Sequence, residues 1–174
     1  YSPFEWKKEP IARFIVNSSA GLLLFIIGWM LGMKNYPQMG IIPISIDTFS
    51  HMVPYILFFS AISLLTQFSD IKGKDSVGDR TLLITFGLTT SLLISLLMIS
   101  IALYISINHS DPLASTATMV SLPFFIFAAV RRLDKDILRA IRYPIFILNF
   151  FAIPSYPWLI VPLLCTYYLS KYYY

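Results

Sequence analysis

The chain has few charged residues, and this shortage excludes most soluble folds. Of its 174 residues, 13% are Asp, Glu, Lys or Arg, whereas 57% are hydrophobic. A soluble domain usually carries about a quarter of charged residues, because its surface must be covered by polar groups. This chain does not have enough of them for such a surface. We therefore expect most of its surface to face lipid or other apolar protein.

The chain also has only one cysteine and no recognisable secretory signal. The single cysteine, Cys165, excludes an intramolecular disulfide and a cysteine-based zinc cluster, and its apolar neighbours predict a small buried side chain. The N-terminal residues do not show a basic region followed by an apolar one, so they do not resemble a signal peptide. The chain begins at Tyr1 rather than Met, and we expect further protein upstream.

The chain does contain long apolar runs. A helix that crosses a bilayer needs about 20 predominantly apolar residues. Five runs qualify, roughly at residues 11–33, 49–68, 82–107, 113–130 and 143–168. Pro154, Pro157 and Pro162 interrupt the last run, which is predicted to be one kinked span, with a re-entrant piece followed by a span as the alternative. The sequence therefore predicts an all-α integral membrane protein of about five transmembrane helices, with residues 1–174 in a single domain.

The basic residues are distributed unevenly between the two ends of these spans. Eleven of the 13 fall on one side if there are five crossings: Lys7, Lys8, Arg13, Lys72, Lys74, Arg80, Arg131, Arg132, Lys135, Arg139 and Arg142. Only Lys34 and Lys171 fall on the other. Since cytoplasmic loops carry an excess of Lys and Arg, the polar loops are predicted to be cytoplasmic. The excess of basic residues is then explained by the orientation of the chain in the membrane, and we do not expect a nucleic-acid partner.

Residues 131–142 are predicted to form a short interfacial helix.

The most polar part of the chain, which we call the aspartate-rich segment, runs from residue 70 to residue 81. It combines three carboxylates with three basic side chains and two glycines: Asp70, Asp75, Asp79, Lys72, Lys74, Arg80, Gly73 and Gly78. Carboxylates that hold magnesium (Mg²⁺) against a phosphate, with Lys or Arg on the remaining phosphate charge, use this mixture. A solvated cytoplasmic loop with internal ion pairs is an equally open interpretation. The glycines argue against a continuous helix through the segment.

This segment, with Leu82, Phe86 and Gly87 after it, resembles the second aspartate-rich motif of the UbiA-type intramembrane prenyltransferases, D-x-x-G-D-x-x-x-G-x-x-T-L. Tyr1-Ser-Pro-Phe, followed by Lys7, is similar to a segment that precedes the fifth helix in that family. The ending Lys171-Tyr-Tyr is also common there. The resemblance implies that the five spans match the fifth to ninth helices of a nine-helix bundle.

The resemblance implies a function as well. Members of the family transfer a prenyl group from a prenyl diphosphate to a hydrophobic acceptor, often an aromatic ring or a lipid alcohol, with Mg²⁺ on the diphosphate. By this resemblance Asp70 is a metal ligand, and Asp75 and Asp79 are further candidates. Candidate diphosphate-binding residues are Lys72, Lys74, Arg80, Lys7 and Lys8.

The chain departs from the family pattern in two places. The second aspartate of the motif falls on Lys74, with Asp75 one position later, so that Asp75 substitutes for it, Lys74 binds phosphate directly, or metal binding is impaired. The family's first motif, N-D-x-x-D, does not occur, and we expect it upstream of Tyr1. A non-catalytic subunit of this fold, bound to other membrane subunits, is therefore the alternative to an enzyme.

The two histidines, His51 and His109, are predicted to be surface or interface residues, because an isolated histidine is a poor metal site. An unrelated transporter or channel subunit remains a third possibility. Such a protein is expected to carry charged residues inside its spans, and none of the five runs has one at its centre.

Overall fold

The structure is a computed structural model that describes residues 10–33, 46–73, 82–154, 157–162, 164–165 and 168. Six α-helices follow one another: α1 (Pro10–Met33), α2 (Ile46–Gly73), α3 (Leu82–Phe86), α4 (Leu88–Asn108), α5 (Pro112–Arg131) and α6 (Asp134–Ala152). A 3-10 turn at Pro157–Leu159 comes after them. Within these ranges there is no strand, and the predicted all-α class is confirmed.

Three helices of the described part are long and apolar enough to cross a membrane: Thr48–Phe68 in α2, Leu88–Asn108 and Pro112–Arg131. They correspond to the second, third and fourth apolar runs. α1 has 24 residues and α6 has 19, but the first half of α6 carries most of its charges. The total of five crossings therefore stays a prediction.

The third apolar run is divided, although the sequence predicted one continuous span from residue 82. Gly87 separates the five-residue α3 from α4 and has φ 82° and ψ 157°. This is a backbone conformation that is essentially restricted to glycine. Helical hydrogen bonds form on both sides of this break: Gly87 N donates to Leu83 O, and Ser91 N donates to Gly87 O.

The boundary predicted between residues 142 and 143 is wrong. The basic segment is not a separate interfacial helix, since α6 begins at Asp134 and continues to Ala152. Arg132, in the left-handed region at φ 55°, ends α5, and only residues 132–133 connect the two helices. α6 ends two residues before Pro154, which has no backbone N–H to continue the helical hydrogen bonds. The last apolar run is thus divided between α6, the 3-10 turn and further helical residues at 160–162, 164–165 and 168.

The helices pack mainly against their neighbours in sequence. α4 lies against α2 and α5, α6 lies against α5 and α2, and α1 lies against α2. The buried faces of α4 and α5 contain many small residues: Ser91, Leu92, Ser95, Ile99, Ala102 and Ser106 on α4, and Ala114, Ala117, Thr118, Ser121, Phe125 and Ala128 on α5. Small side chains let membrane helices approach closely. Several hydroxyls bond back to their own helix, as Thr118 Oγ1 does to Ala114 O at 2.7 Å.

Side-chain contacts establish which helix ends lie together. The His51 end contains the start of α2 and the turn after α4, because the His51 and His109 rings are 5.0 Å apart. The Asp70 end contains the end of α2 and the start of α3, which are joined by Gln67 and Leu82. Since α4, α5 and α6 are linked by short turns, the end of α5 and the start of α6 also lie at the Asp70 end.

Cys165 is exposed, so the prediction of a buried side chain is wrong. The described side chains from Pro157 onward are all exposed in the chain, including Trp158, Val161 and Leu164. An apolar neighbourhood in sequence predicted burial against protein, but in a membrane protein the same apolar surface is suited to contact with lipid.

Candidate functional site

Asp70 lies in the last turn of α2. This helix continues to Gly73, five residues beyond the end of the predicted apolar run at residue 68. The backbones of Asp70 and Lys72 are therefore helical, and the helix ends at the first glycine of the aspartate-rich segment. The carbonyl groups at a helix C-terminus carry partial negative charge and favour cations. Any cation near the end of α2 would be favoured by this charge.

The other predicted site residues lie outside the described residues. They are Lys7, Lys8, Lys74, Asp75, Asp79 and Arg80. Their assignment as metal or diphosphate ligands stays a prediction, as does the role of the Asp70 and Lys72 side chains. Among the residues that the structure describes, no group of three His, Cys, Asp or Glu side chains is suited to hold a metal ion.

Gln67 holds the two ends of the aspartate-rich segment together. This side chain is 2% exposed and lies one turn before Asp70. Its Oε1 accepts a hydrogen bond from the backbone N–H of Leu82, the first residue of α3, at 3.0 Å. The bond connects residues that are 15 positions apart, so the segment starts and finishes at the same place.

Gln67 also retains a donor. Its Nε2 is buried and has no hydrogen-bond partner in the described part of the chain. Buried polar groups are usually paired, because an unpaired one loses its hydration without compensation. The sequence did not single out Gln67, although an amide in the apolar run just before the segment was the available signal.

The polar residues at the His51 end have structural partners. Tyr55 donates its hydroxyl to Asp111 Oδ2 at 2.8 Å, and Asp111 Oδ1 accepts from Leu113 N and Ala114 N at 3.0 Å each. Asp111 is thus the N-cap of α5, and it also ties α5 to α2. These contacts join α2 and α5 at the end opposite Asp70, and they give the polar side chains there structural roles.

The long apolar helices define the chain as an integral membrane protein. Its sequence matches the profile of the UbiA prenyltransferase family over residues 1–153. The chain belongs to the UbiA prenyltransferase family. No curated protein and no solved structure matches it significantly.

Proposed function

We propose that the protein transfers a prenyl group from a prenyl diphosphate to an aromatic or lipid acceptor, in a Mg²⁺-dependent reaction at the cytoplasmic face of the membrane. Membership of the UbiA prenyltransferase family supports a prenyltransferase function in general. The observation that carries the site assignment is the bond between Gln67 and Leu82, which closes the aspartate-rich segment at the end of α2.

The chemistry needs two kinds of groups at the diphosphate. Hard carboxylate oxygens hold Mg²⁺, and we assign this role to Asp70, Asp75 and Asp79. Lys72, Lys74 and Arg80 supply positive charge to the remaining phosphate oxygens, joined by Lys7 and Lys8 from the N-terminal segment. Bound Mg²⁺ neutralises the diphosphate and makes it a better leaving group. The protein residues bind and orient the diphosphate so that its prenyl chain extends into the apolar bundle.

The decisive experiment is a transfer assay on the full-length protein in lipid vesicles, with radiolabelled prenyl diphosphate, an aromatic acceptor and a defined Mg²⁺ concentration. We expect Asp70→Ala to lower the rate by more than about 100-fold, beyond the loss that is typical for an outer-shell partner of a metal. Asp134→Asn removes a carboxylate from the same end of the bundle but from outside the segment, and it should leave the rate nearly unchanged. Unchanged transfer by Asp70→Ala contradicts the metal role.

A non-catalytic subunit of the same fold is the second candidate, and Lys74 is the observation that favours it. A lysine at the second aspartate position places a positive charge where the family has a metal ligand. If this lysine has replaced metal binding, the wild-type protein is inactive in the assay and Lys74→Asp gains Mg²⁺-dependent transfer. If the lysine binds phosphate in an active enzyme, Lys74→Asp raises the KM for the diphosphate instead.

A further inference from the structure

A small groove lies between α5 and α6 at the Asp70 end. It has a volume of about 150 Å³ and is lined by Phe124, Phe127, Arg131, Asp136 and Arg139. The three residues from α5 are spaced three and four positions apart, and the two from α6 are three apart. Residues at these spacings share one face of a helix. The groove is therefore formed by one stripe of each helix.

The upper part of the groove is charged. Arg131 lies over the ring of Phe127, with its guanidinium carbon 5.1 Å from the ring centre. Asp136 is 5% exposed; its Oδ1 accepts from Arg139 Nη1 at 3.3 Å, whereas its buried Oδ2 has no hydrogen-bond partner in the described part of the chain. A buried carboxylate oxygen without a donor is unfavourable. Because no water-sized group reaches Oδ2 as the side chain stands, a ligand in the groove can donate to it only when the carboxylate turns toward the groove.

The lower part of the groove is aromatic. Arg131 is the last residue of a helix that is apolar enough to span the membrane, so the charges lie where α5 leaves the bilayer. Phe127 and Phe124 lie one and two turns deeper in the span. The Phe124 ring also contacts Tyr143 of α6, with the centroids 5.0 Å apart. A ligand here is charged at one end and apolar at the other.

We propose that this groove binds a phospholipid whose headgroup carries a primary amine. The phosphate lies between Arg131 and Arg139, the ammonium donates to the Asp136 carboxylate, and the upper acyl chain lies along Phe127. Two cations and one anion complement the anion and cation of this headgroup. A groove volume of about 150 Å³ suits a headgroup rather than a whole lipid.

Two related ligands fit the charges less well. A prenyl diphosphate carries several negative charges and no ammonium, so it would bring a phosphate close to Asp136 without supplying the missing donor. Phosphatidylcholine has the phosphate but no N–H on its quaternary amine. The site is independent of prenyl transfer, and its failure in a lipid-binding test says nothing about the reaction.

The first test measures lipid affinity. The delipidated full-length protein in detergent is titrated with fluorescent phosphatidylethanolamine, and native mass spectrometry counts the lipids retained. We expect Arg131→Gln to weaken binding about tenfold, which corresponds to the loss of one charge-assisted hydrogen bond. Lys135→Gln removes the same charge from the exposed start of α6 outside the groove, and it should change the affinity less than about twofold.

The second test measures headgroup selectivity. Wild-type protein should prefer phosphatidylethanolamine over phosphatidylcholine by about tenfold, because only the former donates to Asp136. Asp136→Asn removes the charge but keeps the shape, and it should reduce this preference. Circular dichroism checks that each variant is helical, and Arg131→Lys, which keeps the charge but not the planar fork, replaces Arg131→Gln if the latter does not fold.

Three results overturn the proposal. Equal losses for Arg131→Gln and Lys135→Gln mean that the lipid responds only to surface charge. Equal binding of the two lipids to wild-type protein removes the role of Asp136. Displacement of the fluorescent lipid by a short-chain prenyl diphosphate, with affinity lowered by Arg131→Gln, assigns the groove to the diphosphate.

Discussion

At the scale of single residues, Gln67 is the described side chain with the most direct connection to the proposed site. One of its atoms accepts the bond that closes the aspartate-rich segment, and another is a buried donor. It does not need to touch the diphosphate to matter. Under the proposed function, we expect separation of the two flanks of the segment to disturb the diphosphate site and to lower the rate even though every proposed ligand is still present.

Substitutions of Gln67 separate this positioning role from a merely structural one. Gln67→Leu keeps the approximate size but cannot accept from Leu82 N–H, so we expect at least a tenfold lower kcat/KM, which corresponds to about one hydrogen bond to a buried group. Gln67→Glu retains an acceptor oxygen and should recover most of the activity. Both are measured as kcat and KM over a range of Mg²⁺ concentrations in vesicles.

The control is Ser91→Ala, since Ser91 is also buried near the start of α4, and its hydroxyl has no partner among the described residues, but it lies outside the segment. If Gln67→Leu lowers the stability of the protein but leaves the Mg²⁺ dependence of kcat and KM unchanged, the bond supports only the fold.

At the scale of helices, the break at Gly87 is the feature that the amino-acid pattern did not reveal. Apolar residues continue across it, and hydropathy does not register backbone geometry. The bounds of α1 and α5 and the end of α4 were close to those predicted, because long apolar runs between polar segments define spans well. The start of α6 was missed because residues 131–142 were interpreted as a separate interfacial helix, although Asp136 and Ile137 are buried and the helix continues to Ala152.

Gly87→Ala tests the break. Apart from its chain neighbours, no atom of the described residues lies within 4 Å of the added methyl group. We therefore expect the effect to come from the backbone, which at φ 82° and ψ 157° is strained for every residue except glycine. We expect a loss of about 1–3 kcal/mol in the free energy of unfolding. Thermal unfolding in detergent, followed by circular dichroism, measures it.

Thr89→Ala is the matched control, because Thr89 is exposed in the first turn of α4 and keeps an ordinary helical backbone. If Gly87→Ala is as stable as wild type, α3 and α4 form one continuous helix in the membrane.

At the scale of the whole molecule, the sequence predicted the class and the family and left the site incomplete. Composition alone excluded a soluble fold, and the motif from Asp70 onward led to the family that the profile match confirms. The contacts that organise the site were not predictable, because an interaction such as Gln67 with Leu82 depends on where two helix ends meet. The orientation still rests on the basic residues.

Orientation is tested by labelling single cysteines from one side of the membrane. In a Cys165→Ser background, Lys135→Cys in the first turn of α6 and Ser110→Cys in the turn after α4 should lie on opposite sides. A membrane-impermeant maleimide added outside intact cells should label Ser110→Cys but label Lys135→Cys only after lysis. The reverse pattern contradicts the assignment of the basic loops to the cytoplasm.

The short turn after α4 has a consequence for how the chain enters the bilayer. Residues 109–111 contain one acidic residue and no Lys or Arg, so with the predicted orientation their translocation carries a small electrostatic penalty. α4 and α5 are both apolar enough to span, and their faces of small residues already adjoin across three residues of chain. During synthesis they can insert together as a preassembled hairpin, whereas the contact of α4 with α2 must form across the aspartate-rich segment.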